Sequence, residues 1–156
     1  MREATPADTG VVRAALERSW GGTLVVARGE AIDASSLAAF VAWRGTESVG
    51  LLTHRPGPRP DEWEIVSIAA FVEGAGVGTA LLAAVRALAR GQAIRRLWLV
   101  TTNDNTRAIR FYQRRGFDLV ALHRDAVTAG RALKPSIPWE LDGIPLRHEL
   151  EFDIVP

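Results

Sequence analysis

The spacing of apolar positions changes along the chain, and each change marks an element. Arg2 to Thr5 reads as a short first strand. Pro6, Ala7 and Asp8 then suit a first helical turn, and Val11, Val12, Ala15 and Leu16 recur on one face of a helix running through Arg18. Gly21-Gly22 ends it. Thr23 to Ala27 is an extended piece, followed by a turn at Arg28-Gly29-Glu30. Leu37 to Arg44 and Ser48 to His54 are two apolar runs separated by Gly45-Thr46-Glu47, for which a β-hairpin is the simplest reading. Arg55-Pro56-Gly57-Pro58-Arg59-Pro60 is expected to be an exposed connector that continues neither strand, because proline lacks the ladder N–H and fixes φ.

Glu62 to Phe71 is the next strand, and it leads straight into Val72-Glu73-Gly74-Ala75-Gly76-Val77-Gly78-Thr79. From Gly76 to Arg90 the period is helical, with Val77, Leu81, Val85 and Leu88 on one face. Leu97 to Thr101 is nearly all apolar, as a central strand covered on both faces would be. Asn103-Asp104-Asn105 offers capping side chains to a second helix, Asn105 to Arg115, whose inner face carries Ala108, Phe111 and Tyr112. Gly116 closes that helix. Strands follow at Phe117 to His123 and His148 to Val155, joined by a long segment containing Pro135, Pro138, Trp139 and Pro145. Strand, helix, strand, helix, strand with meandering strands on each side indicates an α/β protein with a mixed sheet covered by helices.

Composition narrows this pattern. A chain of 156 residues with 47% apolar content fits a single domain, 1–156. A formal charge of +1 without a basic block gives no reason to expect nucleic acid as a partner. The absence of cysteine excludes disulfides, thiolate metal sites and cysteine nucleophiles. No His/Asp cluster has ligand spacing, so no metal is expected. The first residues lack a signal-peptide core and no stretch approaches the roughly 18 apolar residues of a membrane span, so a cytoplasmic protein without a membrane partner is expected.

The glycine-rich turn is the candidate for chemistry. Glycine allows positive φ and close backbone approach, and a helix start offers unpaired N–H groups, so the turn is suited to an anion. A nucleotide-triphosphate loop requires Gly-Lys-Ser/Thr, and no Gly-Lys occurs in the chain. A dinucleotide fingerprint requires Gly-x-Gly-x-x-Gly and an acid ending the next strand. The spacing here is Gly74-x-Gly76-x-Gly78, and the next strand ends in Thr101-Thr102-Asn103.

Glu73-Gly74-Ala75-Gly76-Val77-Gly78 resembles the Arg/Gln-x-x-Gly-x-Gly/Ala pyrophosphate loop of the GNAT N-acetyltransferase superfamily. Asn105-x-x-Ala108-x-x-Phe111-Tyr112-x-x-x-Gly116-Phe117 is similar to that superfamily's downstream signature. The resemblance implies a GNAT-like mixed, mostly antiparallel six- to seven-stranded sheet with helices on both faces, parallel only at a splayed strand pair. It implies acetyl-CoA as cosubstrate, its pantetheine paired with Ile68, Ala69 and Ala70 and held by Asn105. The pyrophosphate would rest on Gly74, Ala75, Gly76, Val77, Gly78 and Thr79. Tyr112 would protonate the departing thiolate. One departure stands out: Glu73 occupies the position at which the family usually has arginine or glutamine.

The implied activity is direct acetyl transfer through a ternary complex to the amine of a small molecule. A protein or peptide acceptor and a non-catalytic acyl-CoA-binding module are the alternatives. Glu64 is the candidate base, expected to share a strand face with Val66 and Ile68; its competing reading is a surface carboxylate. Tyr112 likewise has a competing reading as a core aromatic. His54 and His123 are weaker candidates, since a lone strand histidine is more often structural. The segment Arg131 to Trp139 is open to three roles: capping the acceptor pocket, binding an acidic group through Arg131 and Lys134, or packing against a second subunit of a homodimer.

Overall fold

The computed structural model describes residues 1–156. In chain order the elements are β1 (Arg2–Glu3), a 3-10 turn (Pro6–Asp8), α1 (Thr9–Trp20), β2 (Leu24–Ala27), β3 (Glu30–Asp33), a second 3-10 turn (Ala34–Ser36), β4 (Ala38–Arg44), β5 (Glu47–Pro56), β6 (Glu62–Ala70), α2 (Val77–Gly91), β7 (Arg96–Thr102), α3 (Thr106–Gln113), β8 (Asp118–His123), α4 (Ala126–Gly130), β9 (Glu140–Leu141), β10 (Ile144–Pro145) and β11 (Glu149–Ile154). Seven strands make up the main sheet, and most of its pairings are antiparallel. No helix is long and apolar enough to cross a membrane.

The chain clusters into two compact units, residues 1–25, 33–97 and 155–156 in the first and residues 26–32 and 98–154 in the second. In the first unit the strand order is β1-β4-β5-β6, antiparallel throughout. α1 covers one face. Its Val12, Ala15 and Leu16 cluster with Ala34, Ala39, Val41 and Leu51, and full burial of a side chain such as Leu16 contributes about 1.5–3 kcal/mol. Gly21 ends α1 in the left-handed conformation, φ 68°, donating its N–H to the Glu17 carbonyl. α2 covers the opposite face, over Gly50. A Cβ at that glycine would lie 2.5 Å from Val77 Cγ1 and 3.2 Å from Leu81 Cδ1.

Three expectations change here. The buried stripe of α2 is Gly78, Leu81, Leu82, Val85 and Ala89, while Val77 and Leu88 are only half-buried. β5 runs on through Arg55 and Pro56, which pair with Glu64 and Trp63 of β6. Proline is tolerated there because it occupies the strand's last position, and the turn is closed by the Gly57 N–H donating to the Glu62 carbonyl at 2.7 Å. Finally, the pairing shifts from Thr53↔Ser67 to His54↔Ile65 and Arg55↔Glu64, so one extra β6 residue is accommodated in a β-bulge. Glu64 therefore shares its face with Ser67, and Val66 packs toward α1 with them, but Ile68 lies on the other face.

In the second unit the strand order is β7-β11-β8, with β8 antiparallel to β11. Tyr112 of α3 packs against Phe111, Phe117 and Phe152, with ring centroids 5.4, 5.7 and 5.9 Å away. Gly116, at φ 83°, turns the chain from α3 into β8. The sequence pattern did not reveal β3, α4 or the small β9–β10 pair. β3 has only one buried residue, Ile32, and the other three are too short to set a period.

Candidate active site

In the first unit β6 ends at Ala70, and the chain reaches α2 through two glycines in the left-handed region, Gly74 and Gly76, both at φ 71°. Neither glycine's Cβ position meets another atom within 4 Å, so the backbone conformation, not space, calls for glycine. Gly76 is the N-cap of α2 and brings no side chain to it. The first intrahelical bond runs from the Ala80 N–H to the Gly76 carbonyl at 3.0 Å, so the amides of Val77, Gly78 and Thr79 precede the helix's own ladder. The positive end of a 15-residue helix suits an anion. Glu73 and Ala75 are exposed in the same loop. Ile68, Ala69 and Ala70 occupy the last three positions of β6, opposite Leu52, Leu51 and Gly50.

Glu64 is almost fully buried, at 2% exposure. Its Oε2 accepts from Arg55 Nε at 2.6 Å, an ion-pair contact that orients the carboxylate. Next along the face, the Thr53 and Ser67 hydroxyls bond each other at 2.7 Å. His54 is buried between Phe40 and Trp63, with ring centroids 6.0 and 4.7 Å away, and burial pushes its imidazole down to about 4. A neutral ring stacked in this way acts as a core residue.

In the second unit Asn105 is the N-cap of α3, its Oδ1 accepting from the Ala108 N–H at 3.1 Å. Tyr112 lies near the other end of the same helix and is 6% exposed. Burial raises its phenol well above the ordinary range, so the hydroxyl stays protonated. His123 bonds Glu151 Oε2 through Nε2 at 2.7 Å.

Sequence reading passed over Arg55, placing it in a connector, and gave Asn103 only a capping role. Asn103 instead joins the end of β7 to the start of β11. Its Oδ1 accepts from the N–H groups of Arg147 and His148, both at 2.9 Å, and its Nδ2 donates to the Pro145 carbonyl at 2.9 Å. No local signal could have found partners more than forty positions away. Arg131 turns inward to backbone carbonyls.

The chain is thus an α/β protein with an antiparallel meander leading through a glycine turn to a helix start, followed by a capped helix that carries a protonated tyrosine. It belongs to the acetyltransferase (GNAT) family, whose model matches residues 12–117. Among curated proteins it is 35% identical over 142 residues to the uncharacterized protein YxbD of Bacillus subtilis (strain 168), covering 90% of this chain and 88% of that one. Among solved structures it is similar to a GNAT family acetyltransferase from Elizabethkingia anophelis with acetyl-CoA bound, with TM-score 0.68 and 21% identity over 78% of each chain. It is also similar to the ribosomal-protein-alanine N-acetyltransferase from Brucella melitensis, with TM-score 0.69, 21% identity and coverage of 99% and 98%. At such identities the solved structures speak to the fold.

Proposed function

We propose that residues 1–156 act as one catalytic domain that transfers the acetyl group of acetyl-CoA directly to the amine of a small molecule in a ternary complex. The observation that carries this reading is the left-handed Gly74–Gly76 turn, which leaves the first amides of α2 ahead of their own ladder in a chain of the acetyltransferase family. The pyrophosphate takes the amides of Gly74 to Thr79. Ile68 to Ala70 and Asn105 hold the pantetheine arm. The acetyl-CoA-bound relative from Elizabethkingia anophelis supports the choice of donor.

In the reaction the amine nitrogen attacks the thioester carbonyl, the new C–N bond forms and the C–S bond breaks. Glu64 takes the proton that the ammonium must lose before attack, and the Tyr112 hydroxyl gives its proton to the departing sulfur. The contact with Arg55 orients the Glu64 carboxylate for the first role, and a phenol kept neutral by burial starts with the proton that the second needs. The net reaction consumes acetyl-CoA and an alkylammonium and yields the amide, CoA thiol and one proton.

The test is a thiol-release assay with acetyl-CoA over polyamines, amino acids, aminoglycosides and peptide N-termini. Release with one small-amine class is the expected result. Release with peptides alone would favour an acceptor on a protein. Binding of acetyl-CoA without release from any acceptor would leave a non-catalytic binding module.

A further inference from the structure

Arg131 is the one buried arginine of this protein. Asp8 is met by Arg2 at 2.7 Å, Glu62 by Arg59 at 2.6 Å, Glu64 by Arg55 at 2.6 Å, and Glu151 by His123 at 2.7 Å and Arg28 at 3.3 Å. Glu149 accepts the backbone N–H of Arg28 at 3.0 Å. Arg131, 7% exposed, is matched by no carboxylate. Its Nε donates to the Ile137 carbonyl at 3.3 Å, and its Nη2 donates to the carbonyls of Pro138 at 2.5 Å and Leu146 at 2.8 Å. These three bonds use three of the five N–H groups. The other two, on Nη1, are buried without a protein acceptor. Trp139 lies over the guanidinium, 4.1 Å from Cζ to its ring centroid, and keeps 72% of its own surface exposed.

Carbonyl dipoles and an aromatic face soften a buried charge but do not neutralise it, and an unmatched buried ion is among the least favourable groups a fold can hold. A water at Nη1 would answer the hydrogen bonds and leave the charge. A carboxylate answers both, and a monoanion with two acceptor oxygens suits one guanidinium with two N–H groups left to give better than a phosphate dianion does. We propose that Nη1 of Arg131 anchors a carboxylate-binding subsite within the second unit, taking a small molecule that bears a carboxylate. That this molecule is the acetyl acceptor, an amino-acid-like amine, rests on the acetyl-transfer reading above.

The subsite is tested without acetyl-CoA. Sodium acetate is titrated into the full-length protein at constant ionic strength, with sodium chloride as control, while the Arg131 side-chain NMR resonances and Tm are followed. Acetate is expected to shift those resonances saturably and to raise Tm with concentration, while chloride does neither. Arg131→Lys, which keeps the charge but loses the planar fork, is expected to bind acetate at least roughly tenfold more weakly. Unmoved Arg131 resonances in the wild-type protein, or the same response to chloride, overturn the subsite whether or not any variant folds.

The acceptor assignment is tested separately in the thiol-release assay, with amino acids compared against their carboxamides. The carboxamides are expected to show KM raised roughly tenfold in the wild type and little preference in Arg131→Lys. If acetate binds but no amine releases thiol, the subsite stands and the transfer reading fails. If acid and amide turn over alike, the ligand is not the acceptor.

Discussion

Tyr112 and Glu73 are the two residues at which the chemistry is most exposed to test. Loss of one proton donor to a moderately good leaving group should lower kcat by roughly 10- to 100-fold. Tyr112→Phe, which keeps the aromatic packing against Phe117 and Phe152, is therefore expected to lower kcat by that amount with KM for acetyl-CoA little changed. Unchanged turnover would return Tyr112 to the core. Glu73 places a carboxylate in the loop assigned to the pyrophosphate, so Glu73→Gln should lower KM for acetyl-CoA about threefold at low salt, and less as salt screens the repulsion. Steady-state kinetics at two ionic strengths read that difference. Both residues were legible in the sequence because their surroundings are local: a loop of glycines, and a helix announced by Asn105. Arg55 was not, because its meaning depends on the register of two strands, and a string of prolines hid the strand that carries it.

At the scale of elements, β5 and α2 meet through the absence of a side chain at Gly50. A methyl group there would stand 2.9 Å from the Ala69 carbonyl oxygen as well as 2.5 Å from Val77 Cγ1. The oxygen belongs to the backbone and cannot swing aside, so Gly50→Ala should destabilise the protein by about 1–3 kcal/mol, measurable as a lower urea midpoint at unchanged m. Val77 opens α2 and Ala69 lies in the assigned cofactor edge, so KM for acetyl-CoA should rise in the same variant. The hydrophobic pattern located both elements, since runs of five or more apolar positions have a clear period. It did not locate the bulge in β6, because Ile65-Val66 reads the same whether a strand is regular or carries an extra residue.

For the molecule as a whole, the two units carry opposite pH liabilities. His54, in the first, is held neutral to about pH 4 when folded, whereas the unfolded chain's imidazole takes its proton near 6.5. The unfolded state then binds more protons, so stability is fully present above pH 6.5 and is lost as pH falls toward 4, by about 3 kcal/mol in all. Tyr112, in the second, keeps its proton when folded at pH values where the unfolded phenol, near 10, has lost it. Stability therefore falls as pH rises through about 10. Melting curves from pH 4 to 11 should fall at both ends, with His54→Gln flattening the acid side and Tyr112→Phe the alkaline side. Trp20, Trp43 and Trp63 report on the first unit, and Trp98 and Trp139 on the second. Neither liability was readable from composition, because each arises from aromatic neighbours that the fold assembles around one side chain.

The bulge in β6 also bears on how such a chain changes over time. It separates the strand into a first part that sets where the Glu64 carboxylate points and a last part that presents the backbone of Ile68 to Ala70. Straightening the bulge, so that the Thr53↔Ser67 register ran on, would bring Ile65 opposite Arg55 in place of Glu64 and leave the last part where it is. The side chain opposite Arg55, proposed as the base, can thereby change without disturbing the strand end proposed to pair with the acyl donor.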